Sequence, residues 1–116
     1  MILIPLEEDQ KTISKRFRKA DYFLFVDENE KRIEKNNHKT SKSNEFFEHF
    51  NTLGVTKLYL TALGYKTFEK LEALGLEVFF LQEHQNPEEI EAEYLLKIDA
   101  INAKALCTLG HSPKIN

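Results

Sequence analysis

A run of five basic residues is the feature of this 116-residue sequence best suited to binding chemistry. No acidic residue interrupts the run, whose cations are Lys11, Lys15, Arg16, Arg18 and Lys19. A guanidinium group donates paired hydrogen bonds to oxyanions, and it has no lone pair with which to ligate a metal. The run therefore predicts one of two things, a site for an anionic ligand or a solvated charged loop.

Three further residues are candidate metal ligands. Cys107 and His111 lie four positions apart, so a continuing helix would place both on one face. His84 follows a predicted strand and would lie in a loop at the edge of the sheet. Zinc sites take three or four protein ligands, and the chain has only one cysteine. The alternative is a half-buried cysteine at a helix end and two solvated histidines.

The sequence offers little for catalysis. A two-metal nuclease needs carboxylates that converge on the first strand, and that strand carries none. Glu7, Glu8 and Asp9 follow it as a consecutive run of the kind that is usually solvated. We find no nucleophile and base at a suitable spacing and no glycine-rich phosphate loop. The prediction is a protein that is not an enzyme.

Composition restricts the class of protein further. Sixteen basic and 19 acidic residues give a net charge of −3, which argues against nucleic-acid binding through bulk charge. Apolar runs such as Tyr22 to Val26 are too short to span a membrane. A single cysteine excludes an internal disulfide, so we expect a soluble protein in the cytoplasm.

The hydrophobic pattern predicts the element order β-β-β-α-β-α-β-α. The predicted strands are 1–6, 22–27, 31–37, 55–60 and 76–81. A first helix carries Phe46, Phe47 and Phe50, and a second runs from Tyr65 to Leu74. Asn86 and Pro87 begin a third helix. Its apolar stripe is Ile90, Tyr94, Ile98, Ile101 and Ala105.

This order predicts an α/β fold in which helices cover both faces of a mixed five-stranded sheet. The first strand and the two later strands should be parallel, and ligands bind beyond the carboxyl ends of such strands. Residues 5–17, 61–64 and 82–86 should therefore share one edge of the sheet. We expect a single domain over residues 1–106 and a flexible tail over 107–116.

One stretch of sequence is similar to the opening of a known family. The segment Ile13-Ser14-Lys15-Arg16-Phe17-Arg18-Lys19-Ala20-Asp21-Tyr22-Phe23 resembles the Val-Ser-x-His-Phe-Gly-Arg-Ala-x-Tyr-Phe pattern of the dinitrogenase iron-molybdenum cofactor biosynthesis family, the NifX-like and NafY-like proteins. The turn from Thr61 to Gly64 resembles the family's Gly-Gly-x-Gly. The chain departs from the pattern at Arg16, which replaces a histidine, and at Arg18, Thr61 and Ala62, which replace glycines.

The resemblance implies a ribonuclease H-like, three-layer α/β/α fold and a small carrier of an iron-sulfur or iron-molybdenum cluster. We expect the anionic ligand or cluster at Arg16, Phe17, Arg18, Thr61 and Gly64, with His84, Cys107 and His111 as weaker metal candidates. The expected partner is a protein that donates or accepts the cluster.

The alternative is an interaction or regulatory module that has the fold without the cofactor. It would use the basic run, or the third strand around Ile33, to contact an acidic partner or a second copy of the chain.

Overall fold

The fold is built on one mixed sheet of six strands. The computed structural model describes residues 1–37, 45–81, 87, 90 and 95–107. The strands are β1 (Ile2–Leu6), β2 (Tyr22–Val26), β3 (Lys31–Lys35), β4 (Lys57–Leu60), β5 (Glu77–Phe80) and β6 (Leu96–Ile98), and their order across the sheet is β3-β2-β1-β4-β5-β6. The sequence predicted five strands and missed β6.

Strand directions follow the prediction. β1 pairs in parallel with β4, and β4 pairs in parallel with β5, while β2 and β3 extend the sheet as an antiparallel hairpin. β1 lies near the middle of the sheet, and the side chains of residues 3–6 are all buried. Pro5 is tolerated there because it lies beyond Ile2 and Leu3, the residues of β1 that pair with β4.

The three described helices all pack on one face of the sheet. They are α1 (Glu45–Thr52), α2 (Tyr65–Ala73) and α3 (Ala103–Leu106), and their buried residues share one core with Leu3, Phe23 and Val78. Within the described residues the helices therefore cover one face of the sheet, and the predicted third helix, which begins at Asn86, lies partly outside those residues. The crossovers from β3 to β4 and from β4 to β5 travel in the same direction along the sheet, and right-handed crossovers of that kind place their helices on the same side.

A second, smaller core covers the opposite face. It contains Ile4, Leu6 and Leu24 from the sheet, and Ile13 from the loop after β1 packs against them. Among the described residues of the segment between β5 and β6, Ile90 and Leu95 also pack there.

The predicted third helix is wrong where the chain forms β6. Ile98 pairs with Val78 of β5 instead of lying on a helical stripe, and Ile101 is 92% exposed in the turn that follows. Residues 96–98 form a strand and not a helix because β5 would otherwise leave a row of peptide groups unpaired. The carboxylate of Asp99 then ends the strand, since it accepts hydrogen bonds from the amides of Ile101 and Asn102.

Two other predictions fall partly outside the described residues. The helix start at Asn86 and the stripe residue Tyr94 are not described, and neither is the predicted tail from residue 108 onward. Ala105 does lie in a helix, the short α3. None of the helices in the described part of the chain is long and apolar enough to cross a membrane.

Candidate anion-binding site

A small cavity lies at the end of the sheet where β1 and β4 finish. We call it the basic hollow; its volume is about 260 Å³, and it is lined by Lys15, Arg16, Phe17, Arg18, Ala62, Leu63, Gly64 and Thr67. Four of the five predicted ligand-binding residues line it. The fifth, Thr61, lies beside it and donates a hydrogen bond from its hydroxyl to the carbonyl oxygen of Ser14 (3.3 Å).

Backbone hydrogen bonds hold the basic loop, residues 14–20, against the end of β1. The amide of Ser14 donates to the carbonyl of Pro5 (2.9 Å), and the amide of Asp21 donates to that of Leu6 (3.2 Å). Just before the loop, Ile13 forms a bridge with Leu6 and buries its side chain. The chain therefore leaves β1 and returns beside it before entering β2, which places the cations at the carboxyl end of the strand.

The side chain of Ser14 shapes the first turn of the loop. It is buried, its hydroxyl donates to the carbonyl of Arg16 (3.0 Å), and the same oxygen accepts a hydrogen bond from the amide of Arg16 (3.1 Å). Local bonds of this kind are a common way for serine to fix a turn. The exposed side chains of Lys15 and Arg16 are thus carried on a defined backbone.

Phe17 anchors the loop to the core. Its ring is buried and packs edge-to-face on Phe46 of α1 and Phe23 of β2, with ring centroids 5.3 and 6.2 Å apart. Edge-to-face pairs at these distances are favourable beyond the apolar area that they bury. The sequence predicted Phe17 as a ligand contact, and the structure places its ring in the core.

The two arginines of the loop differ in their surroundings. The guanidinium carbon of Arg18 lies 5.1 Å from the ring centroid of Phe47 and 5.4 Å from that of Phe46, within the range of cation–π attraction. The Arg18 side chain is half-buried against α1, whereas Arg16 is exposed. Arg16 is therefore the arginine better placed to reach a ligand. The charge of Arg18 lies over the rings of Phe46 and Phe47.

The other wall of the basic hollow is the start of α2. Gly64 is its N-cap residue, no side chain caps the helix there, and its first turn contains no acidic residue. The amides of Tyr65, Lys66 and Thr67 have no partner within the helix because they belong to its first turn. A helix N-terminus carries a partial positive charge and is suited to binding anions. Both walls of the basic hollow therefore attract negative charge.

The predicted metal ligands do not add to this site in the described residues. Cys107 is buried in the main core, and burial raises the pKa of its thiol, which disfavours the thiolate that binds metals. His84 and His111 lie outside the described residues. No group of three or more histidine, cysteine, aspartate or glutamate side chains in the described ranges is arranged to hold a metal ion.

Sequence reasoning missed Asn36, which supports the loop from a distance. Its side-chain nitrogen donates hydrogen bonds to the carbonyls of Arg18 (2.9 Å) and Ala20 (2.8 Å). These bonds span 18 and 16 residues of chain, so no local pattern predicts them. The one available signal was an asparagine directly after a strand.

A sequence model of the family described as "Dinitrogenase iron-molybdenum cofactor" matches residues 1–97. The chain belongs to this family. That assignment confirms the resemblance noted in the basic run, and it agrees with the prediction of an accessory protein that is not an enzyme. No curated protein matches the sequence significantly.

Solved structures support the fold. One similar structure is an NMR structure of a candidate NifB protein from Thermotoga, with a TM-score of 0.58 at 23% identity, covering 70% of this chain and 75% of that one. Another is the apo form of the orange protein from Desulfovibrio gigas, with a TM-score of 0.58 at 22% identity, covering 68% of this chain and 72% of that one. Both likenesses confirm the α/β architecture.

Proposed function

We propose that this protein is a non-catalytic carrier that holds an anionic cargo in the basic hollow, and that the cargo is a metal cluster of the iron-sulfur or iron-molybdenum class. One observation carries the proposal. In a member of an iron-molybdenum cofactor family, a cationic loop and an uncapped helix N-terminus form the two walls of one cavity.

The chemistry of the lining residues defines how the cargo would be held. Lysine and arginine side chains and backbone amides donate hydrogen bonds, and none of the residues that line the basic hollow is a cysteine, histidine or carboxylate. The described walls therefore fit the anionic outer surface of a cluster and not its metal ions. The cluster would keep its own sulfide or thiolate ligands, and Arg16 and Lys15 would neutralise its charge.

The role of carrier follows from the same arrangement. Charge-assisted hydrogen bonds hold an anion firmly, yet they break without a ligand exchange at the metal. A cargo held in this way can pass to another protein intact. We infer that the partner is a protein that donates or accepts the cluster, and that the open side of the basic hollow faces it.

Reconstitution without oxygen tests the proposal. We expect purified protein treated with iron and sulfide, or with molybdate and a thiol, to become coloured and to retain metal after desalting. Arg16→Gln should retain much less metal. Lys57→Gln removes one charge at the amino end of β1, away from the basic hollow, and should retain as much metal as the wild type. A colourless wild-type protein without metal by elemental analysis would contradict the proposal.

A second candidate function rests on the outer strand of the hairpin. β3 forms one edge of the described sheet, and Ile33, at its centre, is 41% exposed. An exposed strand edge can pair with another chain. If the protein is instead an interaction module, it should form a homodimer or a stable complex in the absence of metal, and Ile33→Lys should abolish that association in size-exclusion chromatography.

A further inference from the structure

Two polar side chains are buried among the residues that the structure describes, and both bind the basic loop. Ser14 is 1% exposed and Asn36 is 3% exposed. Burying a polar group costs free energy unless it is hydrogen-bonded. The fold thus uses its buried polar side chains to fix the backbone beside the basic hollow.

Asn36 links the outer hairpin strand to this loop. It directly follows β3, and its own amide donates to the carbonyl of Asp21 (3.0 Å), which continues the pairing of β3 with β2. Its side chain then reaches across to the carbonyls of Arg18 and Ala20. The buried side-chain amide of Asn36 therefore fixes the carboxyl-terminal part of the basic loop. The buried hydroxyl of Ser14 fixes its amino-terminal part.

The carbonyl groups that are bound in this way follow a regular pattern. Side-chain donors satisfy the carbonyl oxygens of residues 14, 16, 18 and 20, and these donors are Thr61, Ser14, Asn36 and Asn36 again. A carbonyl oxygen is the negative end of the peptide dipole and repels an anion. Donors that bind every second carbonyl hold those four dipoles in place, so these carbonyls do not turn toward an anion beside the cations.

We propose that Asn36 is a positioning residue for the basic hollow: it fixes the carbonyls of Arg18 and Ala20 so that an anion meets the cations of the loop. The part of this proposal that concerns an anion rests on the proposed function. The part that concerns the conformation of the loop stands on the hydrogen bonds alone.

The first test uses molybdate as the probe anion, with affinity measured by isothermal titration calorimetry. Asn36→Ala removes both donors without adding a charge, and we expect it to weaken molybdate binding about tenfold, the loss expected for a charged contact that is no longer held in place. Ile98→Val, a core variant in β6 that lowers the melting temperature, should bind molybdate within about twofold of the wild type.

The second test needs no ligand. Hydrogen exchange at the amides of Arg16 and Ala20 should accelerate about tenfold or more in Asn36→Ala and should be unchanged in Ile98→Val, because these amides bond within the loop. Unchanged exchange in Asn36→Ala would overturn the positioning role, whatever the wild type binds. Faster exchange with unaltered molybdate affinity would overturn its link to the anion. A wild-type protein that does not bind molybdate would count against the proposed function and against that link, and hydrogen exchange would still decide the conformational part.

Discussion

Two hollows lie at opposite ends of β1, and the smaller one has the features of a binding site. The basic hollow measures about 260 Å³. The other, which we call the amino-end hollow, measures about 610 Å³ and is lined by Met1, Ile2, Val26, Asp27, Glu28, Asn29, Thr56 and Lys57. The amino-end hollow mixes acidic and basic side chains, whereas the basic hollow has cations on one wall and helix amides on the other.

The two hollows also differ in how their walls are held. The turn from Asp27 to Glu30 that borders the amino-end hollow is exposed, and the Asp27 carboxylate holds it by accepting from the amides of Asn29 and Glu30 (2.9 Å each). The loop of the basic hollow is fixed by a buried phenylalanine ring and two buried polar side chains. Charge of one sign on a fixed backbone, and not volume, therefore distinguishes the candidate site.

The largest expected difference between the two regions concerns stability. Phe17→Ala removes a buried ring from the phenylalanine core and should lower the free energy of unfolding by about 3–5 kcal/mol. Val26→Ala, at a partly buried residue of the amino-end hollow, should cost about 1 kcal/mol or less. Urea unfolding followed by circular dichroism measures both. Equal losses would show that the basic loop is no better anchored than the turn at the other end.

The next difference concerns anion binding. Arg16→Gln should weaken molybdate binding about tenfold, because a hydrogen bond to a charged group contributes about 1.5–3 kcal/mol and part of it is screened by solvent. Lys57→Gln removes the same charge from the amino-end hollow and should leave the affinity within about twofold. Similar losses in the two variants would mean that binding responds only to net charge.

Within the basic hollow, the two arginines should separate by their effect on stability. Arg18→Gln loses the cation–π contacts with Phe46 and Phe47, at a cost of about 0.5–1 kcal/mol. Arg16→Gln should change the free energy of unfolding by less than about 0.5 kcal/mol, as is usual for exposed residues. If thermal unfolding shows that Arg16→Gln loses more stability than Arg18→Gln, the cation–π contacts of Arg18 with Phe46 and Phe47 do not contribute as proposed.

The smallest effect is a pH dependence in the loop that follows β1. Hydrogen bonds from the Thr12 hydroxyl and from the amides of Thr12 and Lys11 lower the pKa of Asp9 from 3.8 to about 2. A lowered folded-state pKa contributes stability that is present above the unfolded value and is lost as pH falls. Stability should therefore decrease between about pH 4 and pH 2.

Asp9→Asn supplies the measurement for this effect. The variant should show a flatter decline of the urea midpoint over that range than the wild type, and Thr12→Val should shift in the same direction. Asp27, whose pKa is also lowered by amide hydrogen bonds, serves as the counterpart in the amino-end hollow. An unchanged slope in Asp9→Asn would contradict the assignment.

Much of the fold was predictable because it depends on local patterns. The apolar run at β1, the hairpin and the glycine-terminated helices predicted the order of elements through β5, and that order placed residues 5–17 and 61–64 at the same edge of the sheet. β6 was missed because Ile98 and Ile101 are three residues apart, a spacing that is typical of one face of a helix. Only the unpaired edge of β5, which is a tertiary feature, decides between a helix and a strand.

The support of the candidate site was less predictable than its charges. Lys15, Arg16 and Arg18 are visible as a basic run in the sequence. Asn36 and the burial of the Phe17 ring depend on contacts between distant parts of the chain, so spacing could not indicate them. The sequence therefore predicted which charges could bind an anion, and the structure added how those charges are held.

One measurement tests the central claim directly, namely that the basic hollow is where the protein binds anions. Molybdate is titrated into ¹⁵N-labelled protein, and the amide shifts are followed by NMR. We expect saturable shifts at the amides of residues 15–18 and 64–67, with little change at Ile2, Asp27, Glu28 and Lys57. Shifts centred on the amino-end hollow, or no saturable shifts at either end of the sheet, would contradict an anion site in the basic hollow.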